Sequence, residues 1–211
     1  MRPVSCLITP KIQGDGDAAI LLDRIGAAAR AGVNLIQIRQ PEMDGGPLQT
    51  LVEHALARVK GTGARILVND RVDVALCAGA HGVHLRGNSM AACRVRAIAP
   101  RGFIIGRSVH SAEEAQQAMA DGGLDFLVFG TVFETMSKPG AVYAGATKLA
   151  ETCAAVPLPV LAVGGMTIPV LREVAAAGAA GFAAIGLFSD PPIEGLSALV
   201  QEANASFGAG G

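Results

Sequence analysis

The sequence has few aromatic residues, no tryptophan and only four cysteines. Aromatics make up 4% of the 211 residues, although 51% are hydrophobic. Alanine, valine, leucine and isoleucine must therefore build the core. The cysteines are scattered and form no CxxC pair; they are Cys6, Cys77, Cys93 and Cys153. This spacing predicts buried free thiols in a reducing cytosol rather than a metal site or a disulfide framework.

The sequence also lacks a large excess of one charge and long apolar runs. Its 17 basic and 18 acidic residues give a net charge of −1, which argues against attraction to nucleic acid or membranes by bulk charge. No apolar stretch reaches the roughly 18 residues of a membrane span, and the N-terminal apolar run is too short for a signal peptide. We expect a cytoplasmic protein without nucleic-acid or membrane partners, and a homodimer is left open.

Short apolar runs alternate with alanine-rich amphipathic segments along the whole chain. The runs predict strands at residues 6–9, 35–39, 65–69, 82–85, 103–109, 126–133, 159–165 and 181–188. A helix-like pattern follows each, for example at 18–32, 111–123 and 168–181. Strands that are apolar on both faces are typical of a parallel sheet covered by helices.

Eight such units predict an α/β fold that closes into a (β/α)₈ TIM barrel. No linker divides the chain, so we expect one domain over residues 1–211, with a frayed tail at 206–211. A doubly wound open sheet is the alternative. In a barrel of this type the active site lies where the strands end, and the chemistry should be found there.

Polar side chains follow the second and third predicted strands. Gln37 and Arg39 alternate along strand 2 and therefore point to one side. Inward polar groups are costly unless they are paired or face a ligand. Asn69 and Asp70 stand at the next strand–helix junction, where Asp70 either caps the helix or supplies an oxygen ligand to Mg²⁺.

The fifth predicted strand ends in the segment GRSVHS. Ser108 and His110 alternate there, and Ser111 followed by Glu114 is a capping-box pattern. His110 is thus placed at the barrel mouth, where an imidazole can accept and return a proton near neutral pH. A hydrogen-bonded loop histidine is the alternative. His84, within strand 4, is interpreted as structural.

The loop after strand 6 combines two hydroxyls with an ammonium group. Thr135, Ser137 and Lys138 lie between glycines, and such a cluster suits a phosphate or a carboxylate. A solvated loop is the alternative for these three residues.

Glycines follow strands 7 and 8, where barrels of this type often bind phosphate. Gly164 and Gly165 expose backbone N–H groups at a helix start, and Gly186, next to Ile185, allows close backbone approach. These four residues predict the phosphate site of a small phosphorylated substrate.

With these residues assembled, the chain resembles the thiamin phosphate synthase/TenI superfamily over about residues 6–190. The motifs that carry the resemblance are IQIR, VNDRVDVAL, GVHL, GRSVHSAEEA, FGTVFETMSKPG and AVGGMT. The synthase joins an aminopyrimidine diphosphate to a thiazole phosphate and releases pyrophosphate with Mg²⁺. The tautomerase TenI aromatises a thiazole carboxylate phosphate by moving a proton, without a cofactor.

The resemblance to the synthase is incomplete. The positions that match its pattern are Gln37, Arg39, Asn69 and Asp70. Pro41 stands where the synthase has a lysine, and Ser89 stands near the place of its second Mg²⁺ carboxylate. Arg86 and Asn88 precede Ser89 without an acid. The loss of a cation and a metal ligand should impair pyrophosphate release.

The later motifs look closer to TenI, and the resemblance implies that His110 transfers the proton. It also implies thiazole contacts from the 135–138 loop and a phosphate site from the glycines after strands 7 and 8. We therefore predict a thiazole tautomerase that needs no metal. The alternatives are a synthase with Mg²⁺ at Asp70 and a non-catalytic regulator that binds thiamin precursors.

Overall fold

The computed structural model describes residues 3–14, 16–135 and 142–210, and in it eight parallel strands close into a barrel. Each strand pairs with its neighbours in chain order, and β1 pairs with β8 to close the ring. The strands are β1 (Val4–Ile8), β2 (Leu35–Ile38), β3 (Arg65–Asn69), β4 (Gly82–Leu85), β5 (Ile104–Val109), β6 (Phe126–Gly130), β7 (Val160–Val163) and β8 (Gly181–Ala184). The predicted TIM barrel is confirmed, and the open sheet is wrong.

Helices follow the strands and cover the barrel. They are α1 (Asp17–Ala31), α2 (Gly45–Val59), α3 (Val72–Cys77), α4 (Ala92–Ile98), α5 (Ala112–Ala120), α6 (Gly145–Ala155), α7 (Leu171–Ala176), α8 (Gly186–Ser189) and α9 (Leu196–Gly208). Short 3₁₀ turns at Ile168–Val170 and Ile193–Gly195 lead into α7 and α9. None of the helices in the described residues is both long and apolar enough to span a membrane.

Two apolar cores explain why the strands are apolar on both faces. One core fills the barrel and contains Cys6, Ile8, Leu35, Leu67, Phe126, Val128, Leu161 and Ala183. The other lies between the strands and the helices, where alternate residues such as Ile36 and Ile38 are fully buried. Because successive strand residues point to opposite faces, each strand supplies both cores.

The eighth apolar run does not remain a strand to residue 188. β8 ends at Ala184, and α8 begins at Gly186 with the N–H groups of Phe188 and Ser189 donating to the carbonyl of Ile185. Phe188 is fully buried and stacks on Phe182, with ring centroids 6.1 Å apart. A short apolar run fits a buried strand or a buried helix equally well, so periodicity could not place this boundary.

The segment expected to form a frayed tail, from residue 206, begins within α9. α9 continues to Gly208, because Phe207 is buried and its ring lies 6.1 Å from that of Phe182. Burial of this aromatic ring stabilises the last turn of the helix.

The four cysteines are free thiols, as predicted, but they are not all buried. Cys6 is buried in the barrel, and its burial raises the pKa of the thiol to about 12. Cys153 is half-buried, whereas Cys77 and Cys93 are exposed. The prediction of buried thiols is therefore wrong for these last two, which lie on short helices with one face in solvent.

Candidate functional site

A pocket of about 760 Å³ opens at the carboxyl ends of the strands. Of the predicted site residues, those that line it are Gln37, Arg39, Asn69, Ser108, His110, Thr135, Gly164 and Ile185. Asp70, Gly165 and Gly186 lie beside the pocket without lining it. Ser137 and Lys138 lie outside the described residues.

Barrel register brings the polar side chains together. In the register of the barrel, Gln37 of β2 pairs with Leu67 of β3, which points into the barrel interior, and Asn69 of β3 pairs with His84 of β4. Because every second residue of a strand points inward, residues 37, 69, 84 and 108 face the lumen, and residues 39, 86 and 110 continue the same faces above it. The pocket floor is therefore polar and the lumen below it apolar.

Asp70 is the residue predicted either to cap the helix or to bind Mg²⁺, and other groups of the protein bind both its carboxylate oxygens. Arg86 approaches Oδ2 with Nε at 2.6 Å and Nη2 at 2.5 Å, and the Ser89 hydroxyl donates to Oδ1. Burial opposes ionisation of Asp70, but the hydrogen bonds from Ser89 and Arg86 outweigh it and hold the carboxyl pKa below its ordinary value. Asp70 is thus an ionised partner of Arg86.

Asp70 does not act as a helix cap through its side chain. Its φ of 62° is the only positive value at a non-glycine residue in the described chain, and aspartate tolerates this conformation better than most residues. The turn directs the carboxylate toward the β4–α4 loop, where Arg86 and Ser89 lie.

Arg107, which the sequence argument did not single out, fixes the β4–α4 loop. Its guanidinium is buried and donates to the carbonyls of Ser89 at 3.1 Å, Gly87 at 3.4 Å and Met90. The sequence signal that could have revealed Arg107 is an arginine within the apolar run at residues 103–109. Arg107 holds the loop that presents Arg86 to the pocket.

His84 belongs to the pocket as well, so the interpretation of it as structural was incomplete. Its Nε2 shares a 2.8 Å hydrogen bond with the hydroxyl of Ser108, whereas its Nδ1 is buried without a hydrogen-bond partner. Burial lowers the pKa of His84 to about 4, so the ring is neutral at pH 7. Alternation with Arg86 on β4 was the available signal.

His110 lies at the pocket edge, as predicted. Its Nδ1 is bonded to the carbonyl of Gly130; because a carbonyl only accepts, Nδ1 carries a hydrogen. Nε2 has no hydrogen-bond partner in the described part of the chain. One half of the predicted capping box is present: the Glu114 N–H donates to Ser111 Oγ at 3.2 Å. The Glu114 carboxylate accepts from the N–H of His110, at 2.7 Å, rather than from that of Ser111.

The glycines after β7 pack tightly against the loop after β6. Gly164 has φ 102° and Gly165 has φ 66°, values that side-chain-bearing residues rarely adopt. A Cβ on Gly164 would come within 2.4 Å of Thr131, and one on Gly165 within 2.4 Å of the Glu134 carbonyl. This side of the pocket presents backbone to a ligand.

Comparisons with known proteins agree on one family. A family model described as thiamine monophosphate synthase matches residues 5–188. A putative thiamine-phosphate synthase of Geobacter sulfurreducens is 41% identical over 202 residues, which cover 92% of this chain and 91% of that protein. A thiamine-phosphate synthase of Roseiflexus castenholzii is 40% identical over 82% of this chain and 75% of that protein.

A solved structure extends the agreement to the fold. Thiamine phosphate pyrophosphorylase from Pyrococcus furiosus superposes with a TM-score of 0.81 at 29% identity, over 96% of each chain.

These relatives overturn the prediction of a thiazole tautomerase as the main activity. Relatives that cover most of the chain are named as synthases, which favours the activity that was kept as the alternative. The motifs that suggested a tautomerase, such as GRSVHS, stand here in a chain whose relatives are named as synthases. They therefore did not distinguish the two activities.

Proposed function

This chain belongs to the thiamine monophosphate synthase family, and on that premise we propose that it is a thiamine-phosphate synthase. It would join an aminopyrimidine diphosphate to a thiazole phosphate and release pyrophosphate. The substrates of the relatives' reaction are phosphorylated small molecules, which agrees with the cations and glycine turns around the pocket.

One observation of the structure carries this proposal: a single pocket reaches from the β2–β4 side to the β7–β8 side. Its volume of about 760 Å³ lies within the usual range for small-ligand sites and has room for two rings. Gln37 and Asn69 line one side with amide groups, and Gly164 and Ile185 line the other. The proposed arrangement places the pyrimidine at the amides and the thiazole phosphate at the β7 and β8 turns.

The reaction replaces the bond between a carbon and the diphosphate with a bond from that carbon to the thiazole nitrogen. Negative charge develops on the departing diphosphate, so fixed cations near it lower the barrier. Arg39 lines the pocket, and no described residue forms an ion pair with its guanidinium. The hydroxyl of Ser108, which shares a hydrogen bond with His84, is a further polar group at the pocket floor.

His110 is proposed as a substrate contact. Its ring is held by the Gly130 carbonyl, and its unpaired Nε2 is an acceptor for a ring amino group. The phosphate site at Gly164, Gly165, Ile185 and Gly186 remains part of the proposal, as does Thr135. In a two-substrate site, such contacts act mainly by orienting the reacting atoms.

The residues around Asp70 do not fit a protein-held Mg²⁺. Such an ion prefers one or two carboxylates together with substrate phosphates, and the Asp70 carboxylate already binds Arg86 and Ser89. In the described ranges there is no group of three or more histidine, cysteine, aspartate or glutamate residues that could hold a metal. No step of the proposed reaction is therefore assigned to a metal on Asp70.

The direct test is product formation. The protein is incubated with aminopyrimidine diphosphate and thiazole phosphate, in Mg²⁺ and separately in EDTA, and thiamin phosphate and pyrophosphate are measured together. We expect both products in equal amounts. Absence of both products under each condition, from protein that is folded by circular dichroism, would refute the synthase.

A further inference from the structure

The region around Asp70 has the charge pattern of an anion site. Arg39, at the end of β2, and Arg86, at the end of β4, both line the pocket and flank Asn69 of β3. Because neighbouring strands lie about 4.8 Å apart, the two arginines start about 10 Å from each other across one sector of the mouth. The acids that line the pocket, Glu114 and Asp121, belong to the β5–α5 side instead.

Arg86 can bind an anion without leaving Asp70. Only Nε and Nη2 of its guanidinium face the carboxylate, and Nη1 has no partner among the residues that the structure describes. A guanidinium presents donors in a planar fork that matches phosphate oxygens. Its side chain is 61% exposed, so a ligand in the pocket can reach it.

The surrounding contacts keep this guanidinium in place. Ser89 binds Asp70 and also accepts from the Arg86 backbone N–H at 2.9 Å. The buried Arg107 binds three carbonyls of the same loop. A pre-organised donor loses little freedom when its ligand binds.

We propose that Arg86, held by Asp70, neutralises the diphosphate in this pocket in place of a metal ion held by Asp70. This inference rests on the proposed function for the identity of its ligand. A metal ion on Asp70 would have to displace Arg86 from Oδ2 or the Ser89 hydroxyl from Oδ1, and at either oxygen it would lie beside the positive charge of Arg86. Asp70 is accordingly a positioning residue, and Arg86 is the group that touches the diphosphate.

Pyrophosphate binding measured by calorimetry, in EDTA and in Mg²⁺, tests the proposal. We expect the wild-type protein to bind pyrophosphate in EDTA. Arg86→Gln should weaken that binding about tenfold or more, as expected for the loss of a charge-assisted contact, and Arg86→Lys should restore part of it. Arg58→Gln is the matched control, because Arg58 is also exposed and paired with an aspartate, Asp23, but does not line the pocket.

Asp70→Asn separates the two assignments by its effect in Mg²⁺. If Arg86 binds the diphosphate, this change removes a nearby negative charge but also the partner that holds Arg86, so binding in Mg²⁺ should persist and binding in EDTA should weaken less than in Arg86→Gln. If Asp70 holds a metal, the same change should abolish binding in Mg²⁺. Asparagine also tolerates the positive φ of this position, and circular dichroism checks the fold of each variant.

Three results would overturn the proposal: no binding in EDTA, unchanged binding in folded Arg86→Gln, or loss of Mg²⁺-dependent binding in Asp70→Asn. Failure of the synthase itself looks different. In that case pyrophosphate binds with the expected dependence on Arg86, but no thiamin phosphate forms from the two substrates. Product formation together with binding that ignores Arg86 would instead retain the synthase and reject the role of Arg86.

Discussion

On the β2–β4 side of the barrel mouth charged and amide side chains line the pocket, whereas the β7–β8 side combines glycine backbone with the apolar residues Val163 and Ile185. Arg39, Asn69 and Arg86 project from strand ends and could change without moving the main chain. Gly164 and Gly165 hold positive φ values in close contact with the loop after β6. The first side is specified by charge, and the second by conformation.

This difference predicts separate consequences of mutation. Substitutions on the β2–β4 side should change affinity for an anion with little effect on folding. Substitutions on the β7–β8 side should disturb folding and binding together, because the glycine backbone that is proposed to bind the phosphate also packs against the loop after β6. His84 of β4 and Ser108 of β5 lie on the pocket floor and share a hydrogen bond.

The largest effect is expected for Gly165→Ala. Gly165 has a positive φ, and a new Cβ would lie 2.4 Å from the Glu134 carbonyl oxygen. Backbone strain and overpacking should together lower the free energy of unfolding by about 4 kcal/mol. Gly79→Ala is the matched control, because Gly79 has φ 68° but nothing within 4 Å; it should lose only about 1 kcal/mol. Urea unfolding measures both, and equal losses would show that packing adds nothing at Gly165.

The next effect is a pH dependence from His84. Its folded pKa of about 4 lies below the ordinary 6.5, so the unfolded state binds the proton more readily. The contribution of neutral His84 to the free energy of unfolding is fully present above pH 6.5. It is lost as the pH falls toward 4, by about 3 kcal/mol in total. His84→Gln should flatten this part of the curve, whereas His54→Gln, exposed on α2, should leave it unchanged. Parallel curves for wild type and His84→Gln would contradict the lowered pKa.

A smaller effect is expected for Arg39→Gln. Loss of this cation should raise the KM for aminopyrimidine diphosphate about tenfold while Tm stays the same, because no described contact of the guanidinium is broken. Steady-state kinetics and thermal melting measure the two quantities. An equal loss of affinity for thiazole phosphate would break the distinction between the two sides.

The smallest effect is expected for Ser89→Ala. Loss of the hydrogen bond to Asp70 should cost about 1 kcal/mol and return the pKa of that carboxyl toward its ordinary value. Ser189→Ala, beside the opposite side of the mouth, is the control, because the buried Ser189 hydroxyl has no partner to lose. If chemical denaturation gives equal costs for both serines, the Ser89 bond contributes nothing to stability.

The sequence was most informative where a local pattern was sufficient. Apolar runs separated by amphipathic segments predicted eight strands and their closure, and Ser111 with Glu114 predicted a helix start at which the Ser111 hydroxyl does cap the Glu114 N–H. Alternation at strand ends also placed Gln37, Arg39, Ser108 and His110 on the pocket. These predictions succeeded because strand alternation and helix capping depend on residues close together in the chain.

Sequence patterns could not decide which distant groups would pair. Arg86 and Asp70 are 16 residues apart, and His84 and Ser108 are 24 apart. Barrel register brings each pair into contact, and a shift of register would have separated them. The sequence by itself determined a barrel with polar strand ends. Only the tertiary structure decided that the Asp70 carboxylate binds an arginine, because a contact between neighbouring strands depends on their alignment rather than on the composition of either.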